Sequence, residues 1–139
     1  MIVLDTNVIS EFMRAAPDSG VALWLDRQPR ASIWTTSINV YEILAGILSM
    51  PEGRRQKSRL VAFDYLLNET IQGRICAFDA AAGRKAAELE ADGQKTGRPR
   101  DARDTMIAGI VLASHATLAT RNVKHFEDIA PSVVNPWEA

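Results

Sequence analysis

The 139 residues are 47% hydrophobic and carry 16 Lys and Arg against 17 Asp and Glu, a formal net charge of −1. That content suits one compact domain spanning 1–139, and the charge balance leaves no overall cationic footprint for a nucleic acid. The single cysteine, Cys76, excludes an intrachain disulfide framework. No stretch approaches the ~20 apolar residues of a membrane helix, so the expected setting is the cytoplasm, with no membrane association.

The chain opens Met1-Ile2-Val3-Leu4-Asp5. The apolar run is too short for a helix and lacks period-2 alternation, the pattern of a strand buried on both faces, and Asp5 closes it. Thr6 to Arg14 reads as a short helix stopped by Pro17. Asp18 or Ser19 caps a second helix carrying Val21, Leu23, Trp24 and Leu25, closed by Pro29. Ala31 to Thr36 reads as the second strand. Ser37 then caps a helix whose Val40, Ile43, Leu44, Ile47 and Leu48 fall in one apolar stripe. Pro51 to Gln72 reads as a helix with Arg54, Arg55, Lys57 and Arg59 on a basic face. Ile75 to Phe78 is the third strand, with Cys76 a small core residue. Asp79 caps an alanine-rich helix to about Asp92, and residues 93–100 form a Gly-, Pro- and Arg-containing loop. Asp101 caps a helix bearing Met106, Ile107, Ile110, Val111 and Leu112. Thr117 to Thr120 is the fourth strand, Asn122 to Phe126 a helical turn, and Ser132 to Asn135 a last extended segment. Strands alternating with helices predict an α/β fold: a central, mostly parallel sheet of four to five strands flanked by helices.

In a parallel sheet the carboxyl ends of the strands share one edge, where ligands bind. Asp5 ends the first strand, Glu42 lies in the helix after the second, Asp104 starts the apolar helix before the fourth, and Asn122 follows the fourth. Their placement allows all four to converge. Three carboxylates at close range repel one another unless a proton or a cation intervenes. Hard oxygen ligands without His or Cys favour Mg²⁺ or Mn²⁺, which activate water and clamp phosphate. Each residue also has a plainer reading. Asp5 is a possible helix cap, Glu42 a solvated helix residue, Asp104 a first-turn acid beside Asp101, and Asn122 a turn residue.

These residues carry a family pattern. Val3-Leu4-Asp5-Thr6-Asn7, Glu42 with Gly46, Asp104-Thr-Met-Ile-Ala-Gly, Ala-Thr-Arg121-Asn122-Val-Lys-His-Phe126 and Asn135-Pro136-Trp137 follow in order along nearly the whole chain. The sequence resembles the PIN-domain ribonucleases of the VapC type, toxins of type II toxin–antitoxin systems, and is most similar to their FitB-like branch. The resemblance implies a PIN-like fold and an endoribonuclease dependent on Mg²⁺ or Mn²⁺. It implies Asp5, Glu42 and Asp104 as catalytic metal ligands and Asn122 at the place of a fourth acid. Thr6, Thr120 and Arg121 match positions beside the cofactor. It further implies a VapB- or FitA-like antitoxin as partner, RNA as substrate, operator DNA reached through the antitoxin, and a homodimer.

Two other readings compete. A PIN-like module that only binds antitoxin or RNA would lack an intact acidic set. A phosphatase with Asp5 as nucleophile needs a second acid two residues on, where this chain has Asn7. His115 and His125 show no paired ligand spacing and read as structural. Lys95, Arg98, Arg100 and Arg103, with the basic helix face, are candidates for steering RNA. Phe12, Met13, Val21 and Trp24 suit either an interface or a core, and Trp137 suits a C-terminal packing anchor.

Overall fold

Five short strands form one sheet in the computed structural model, which describes residues 1–139. They are β1 (Ile2–Leu4), β2 (Ile33–Thr36), β3 (Ile75–Cys76), β4 (Thr117–Ala119) and β5 (Val133–Val134). The order is β3-β2-β1-β4-β5, and every neighbouring pair runs parallel. Parallel pairing demands crossovers, and six helices supply most of them. They are α1 (Thr6–Phe12), α2 (Ser19–Asp26), α3 (Ser37–Leu48), α4 (Arg54–Tyr65), α5 (Ala80–Lys95) and α6 (Ala102–Ala113).

Successive side chains of a strand point to opposite faces, so each face has its own core. Leu4 and Ala119 join Ile9, Trp24, Ile43 and Phe63 from α1 to α4 on one side. Val3 and Leu118 join Leu89, Ile107, Val111 and Phe126 on the other, under α5 and α6. The continuous apolar run of β1 follows from this sandwiching. Phe12, Met13 and Leu25 pack against the first core, which includes Trp24, and Val21 is buried as well, so these candidates face inward while Leu23 of α2 stays exposed. Trp137 also packs there.

Helices α5 and α6 meet closely because Gly109 has no side chain. A Cβ at that position would stand 2.5 Å from the Ala82 carbonyl oxygen and 2.9 Å from Ala86 Cβ.

Several local expectations shift. Thr36, not Ser37, caps α3: its hydroxyl accepts from Asn39 N, while Ser37 Oγ accepts from Phe78 N. The helix expected from Pro51 begins at Arg54 and ends in a π-helical turn, Leu66–Thr70. Ala31 and Ser32 belong to a 3₁₀ turn before β2. Helix α5 continues to Lys95, into the expected loop. The turn after Asn122 extends as 3₁₀ structure over Val123–Ser132, with non-helical backbone at Phe126 and Ile129. Cys76 is not in the core: β3 is a two-residue edge strand, and the thiol is half-buried, its pKa pushed up mainly by burial. No helix is long and apolar enough to cross a membrane.

Candidate active site

Strand order reverses between β1 and β4, since β2 and β3 lie on one side of β1 and β4 and β5 on the other. Such a switch point leaves a crevice outside the strand ends, the usual ligand position in an open α/β sheet. Asp5 follows β1 and Thr120 follows β4, so both stand at this point. Thr120 Oγ1 donates to Asp5 Oδ2 at 2.7 Å.

Asp5 is 5% exposed and caps α1. Its Oδ1 accepts from Thr6 N at 2.8 Å and from Asn39 Nδ2 at 3.0 Å. Its Oδ2 accepts from Thr120 and, at 3.3 Å, from Asn7 Nδ2. Four neutral donors hold this buried carboxylate, and no cation pairs with it. These four donors match the roughly four lone-pair directions of a carboxylate and fix its orientation, so an ion at Asp5 would share or displace the longest of them, the 3.3 Å contact from Asn7.

Glu42 and Asp104 stand around Asp5. Thr6 Oγ1 donates to Glu42 Oε1 at 3.3 Å. The Glu42 pKa is raised by burial first and then by the Asp5 charge. The Asp104 pKa is raised by burial, by Asp101 and by Asp5. Both acids therefore lie within electrostatic reach of Asp5. Three groups work the other way: the Thr6 hydrogen bond and then the Arg103 charge favour the ionised form of Glu42, and His125 that of Asp104. His125 Nδ1 is 3.2 Å from Asp104 Oδ2.

Of the other sequence candidates, Thr6 and Thr120 are in direct contact with the acids. Asn122 is adjacent through its backbone: its N–H donates to Thr120 Oγ1, but its exposed side chain makes no hydrogen bond. The Arg121 guanidinium lies over the Trp137 ring, 4.9 Å from its centroid. Asn7 Oδ1 accepts from Arg121 N, and its amide donates to both Asp5 and Thr120, so position 7 is a brace. Within the basic loop, Arg100 is not available for steering: its side chain is 7% exposed, paired with Asp128 and donating to the His125 carbonyl at 3.3 Å.

Asn39 and His125 were not legible as site residues. Asn39 looks like a polar interruption in the first turn of α3, yet it is fully buried. Its Nδ2 bridges Asp5 Oδ1 and Thr6 Oγ1, both at 3.0 Å, and its Oδ1 accepts from Thr36 Oγ1 at 2.6 Å. The available signal was its position three residues after a threonine cap. Asn39→Ala is expected to cost about 1–3 kcal/mol, since it strands buried polar partners. Urea denaturation measures this, and an unchanged midpoint would contradict the bridge.

The raised carboxyl pKa values give a pH prediction. The folded chain holds these protons more tightly than the unfolded chain, so the ionised acids oppose folding above their folded pKa. That opposition fades as pH falls to the ordinary values of 4.5 and 3.8. Glu42→Gln is expected to melt higher than the wild type at neutral pH, with the gap closing in acid. Thermal unfolding followed by circular dichroism checks it; a lower neutral-pH melting temperature for the variant would refute the sign.

No three His, Cys, Asp or Glu side chains stand close enough to enclose an ion directly. The carboxylates offer hard oxygen donors, the type that holds a divalent cation retaining part of its water shell. Mg²⁺ keeps several waters and commonly uses one or two carboxylates together with substrate phosphate. Asp104 and His125 also line an open cleft of about 720 Å³ with Arg98, Lys124 and Asp92, and no hydrophobic residue contributes to it. Its walls suit a charged or polar ligand.

Fold and site together define a three-layered α/β protein with an acidic pocket at the switch point of a five-stranded parallel sheet. A PIN domain model matches residues 2–130, and the chain belongs to the PIN-domain family. It is 40% identical over 139 residues to the plasmid stability protein StbB of Pseudomonas syringae pv. tomato, covering 100% of both chains. It is 36% identical over 138 residues to the VapC ribonuclease Y4jK of Sinorhizobium fredii, covering 99% of each. The crystal structure of FitAcB from Neisseria gonorrhoeae is similar with a TM-score of 0.85 and 31% identity over 100% of both chains. The structure of FitAB bound to an IR36 DNA fragment is similar with a TM-score of 0.84 and 30% identity, covering 99% of this chain and 96% of that one.

Proposed function

We propose that this protein is the toxin of a type II toxin–antitoxin pair and an endoribonuclease that uses Mg²⁺ or Mn²⁺. The observation that carries the reading is the gathering of Asp5, Glu42 and Asp104, from three separate parts of the chain, around one point of the sheet edge. The similarity to a VapC ribonuclease over nearly the full length supports it.

A bound divalent cation supplies Lewis acidity at the phosphate and lowers the pKa of water. The chain's own residues divide the remaining work. Asp5 is the fixed ligand, because four donors hold its orientation. Glu42 and Asp104 are less buried and adjust around it. Their pKa values are raised first by burial and then by neighbouring acids, and a bound cation would favour the ionised forms against both. Thr6 and Thr120 orient the Asp5 and Glu42 oxygens. Asn122 brings no charge, so the site carries three acids rather than four. Arg121 braces the C-terminal Trp137.

The implied partners are RNA as substrate, a VapB- or FitA-like antitoxin as inhibitor, operator DNA through the antitoxin, and a second copy of the chain. The expected setting is the cytoplasm. The DNA-bound FitAB structure supports the antitoxin and operator part of the reading. The purified chain is expected to cut total cellular RNA with Mg²⁺ or Mn²⁺, to stop on adding EDTA, and to stop on adding the antitoxin. Cutting that survives EDTA, or no cutting with any divalent ion, would refute the reading.

A further inference from the structure

A pair of residues outside the acidic set bridges the mouth of the site. Tyr41 lies on α3 immediately before Glu42, and Arg103 lies on α6 immediately before Asp104. The Arg103 guanidinium stands over the Tyr41 ring, 4.7 Å from its centroid, and its Nη2 reaches Tyr41 Oη at 3.4 Å. The tyrosine is 57% exposed, and Arg103 is exposed as well. Neither belongs to either hydrophobic core.

Core packing therefore does not explain this contact, whereas nucleotide chemistry fits it. A stacked guanidinium and phenol present a flat surface beside in-plane N–H donors. Unpaired nucleobases stack on aromatic rings and on arginine planes, and the edge donors meet a phosphate or a base carbonyl. Arg103 is also the cation that acts on Glu42, in a site otherwise built from acids that repel a polyanion.

We propose that Tyr41 and Arg103 form a nucleobase-stacking seat for the RNA residue flanking the scissile phosphate, and that this seat contributes sequence preference at that one nucleotide. The proposal rests on the nuclease reading above. Tyr41 supplies the face and Arg103 the plane and the donors. Because the seat is bonded to both helices that carry Glu42 and Asp104, a seated base is placed against the acids.

The test uses the full chain, a fluorescein-labelled single-stranded RNA library with ten randomised positions, and two readouts: binding by anisotropy, and cut-site profiles by sequencing. Tyr41→Ala is expected to weaken binding about 5- to 150-fold, the range for losing one base stack. It is also expected to flatten the profile at one position next to the cut. Tyr41→Phe, which keeps the ring, recovers most of the binding. Arg103→Lys keeps the charge but loses the plane, and its profile flattens at the same position. Tyr65→Ala removes another exposed tyrosine, on α4, and is expected to bind as the wild type does.

Wild-type binding and an unchanged profile in Tyr41→Ala would overturn the seat, as would a loss in Tyr65→Ala equal to that in Tyr41→Ala. A wild-type profile in Arg103→Lys would also overturn it, since charge alone would then suffice. The two readings fail differently. Loss of binding in Tyr41→Ala with no cutting by the wild type retains a base-stacking contact but removes the nuclease, and with it the placement of that contact beside a scissile phosphate. Metal-dependent cutting that is indifferent to Tyr41 does the reverse.

Discussion

Asp5→Asn is expected to reduce RNA cleavage at least about a hundredfold, the scale on which single preorganised electrostatic contacts act in active sites. The substitution removes one negative charge from the point that Glu42 and Asp104 surround. It also disturbs the bonds that hold the side chain. An asparagine keeps its carbonyl toward Thr6 N and Asn39 Nδ2 and turns its amide nitrogen toward Thr120 and Asn7. The Thr120 hydroxyl already accepts from Asn7 Nδ2 and Asn122 N, so the new amide faces a donor at both Thr120 and Asn7. The expected cost in stability is about 1–2 kcal/mol. Relief of repulsion partly offsets it, because Asp5 is among the causes of the raised Glu42 and Asp104 pKa values. The variant should therefore remain folded while it stops cutting. Cleavage of total RNA beside a thermal melt separates the two effects. Cutting at the wild-type rate would remove Asp5 from the chemistry.

Gly109→Ala carries the largest expected effect on stability. The added Cβ meets Ala82 O at 2.5 Å and Ala86 N at 2.9 Å, and both are backbone atoms of α5. A flexible side chain would move aside; a helix backbone has to shift as a unit. Overpacking of this kind typically costs about 1–3 kcal/mol, and the backbone contacts place this case near about 3 kcal/mol. The displacement would spread along α6 to Asp104, so cleavage should fall together with the melting temperature. Equilibrium urea unfolding gives the number. A midpoint equal to that of the wild type would mean that the two helices separate at little cost.

The residues explain which features were legible before the structure. The unbroken apolar run of β1 reads as doubly buried because Val3 and Leu4 each enter a different core. Caps at Asp5, Asp79 and Asp101 are visible because a short acid before an apolar stripe has one local role. The convergence of Asp5, Glu42 and Asp104 follows from parallel topology, which alternation of elements already implies. Long-range polar pairing was not legible. Asn39 reaches Asp5 across 34 positions, and Thr120 does so across 115, and no periodicity encodes such bonds. Cys76 misled for a related reason: four apolar residues suggest a buried strand, but only two of them pair, at the sheet edge. Arg100 reads as a surface cation in a basic loop, yet Asp128 captures it beneath the 3₁₀ segment.

The account depends on the three acids acting as one site for a divalent ion. Calorimetric titration of the metal-free protein with Mn²⁺ tests that most directly, in the wild type, in Asp5→Asn and in Asp104→Asn. The predicted result is saturable binding by the wild type that both substitutions abolish or weaken strongly. Equal binding by all three proteins, or none by the wild type, would contradict it.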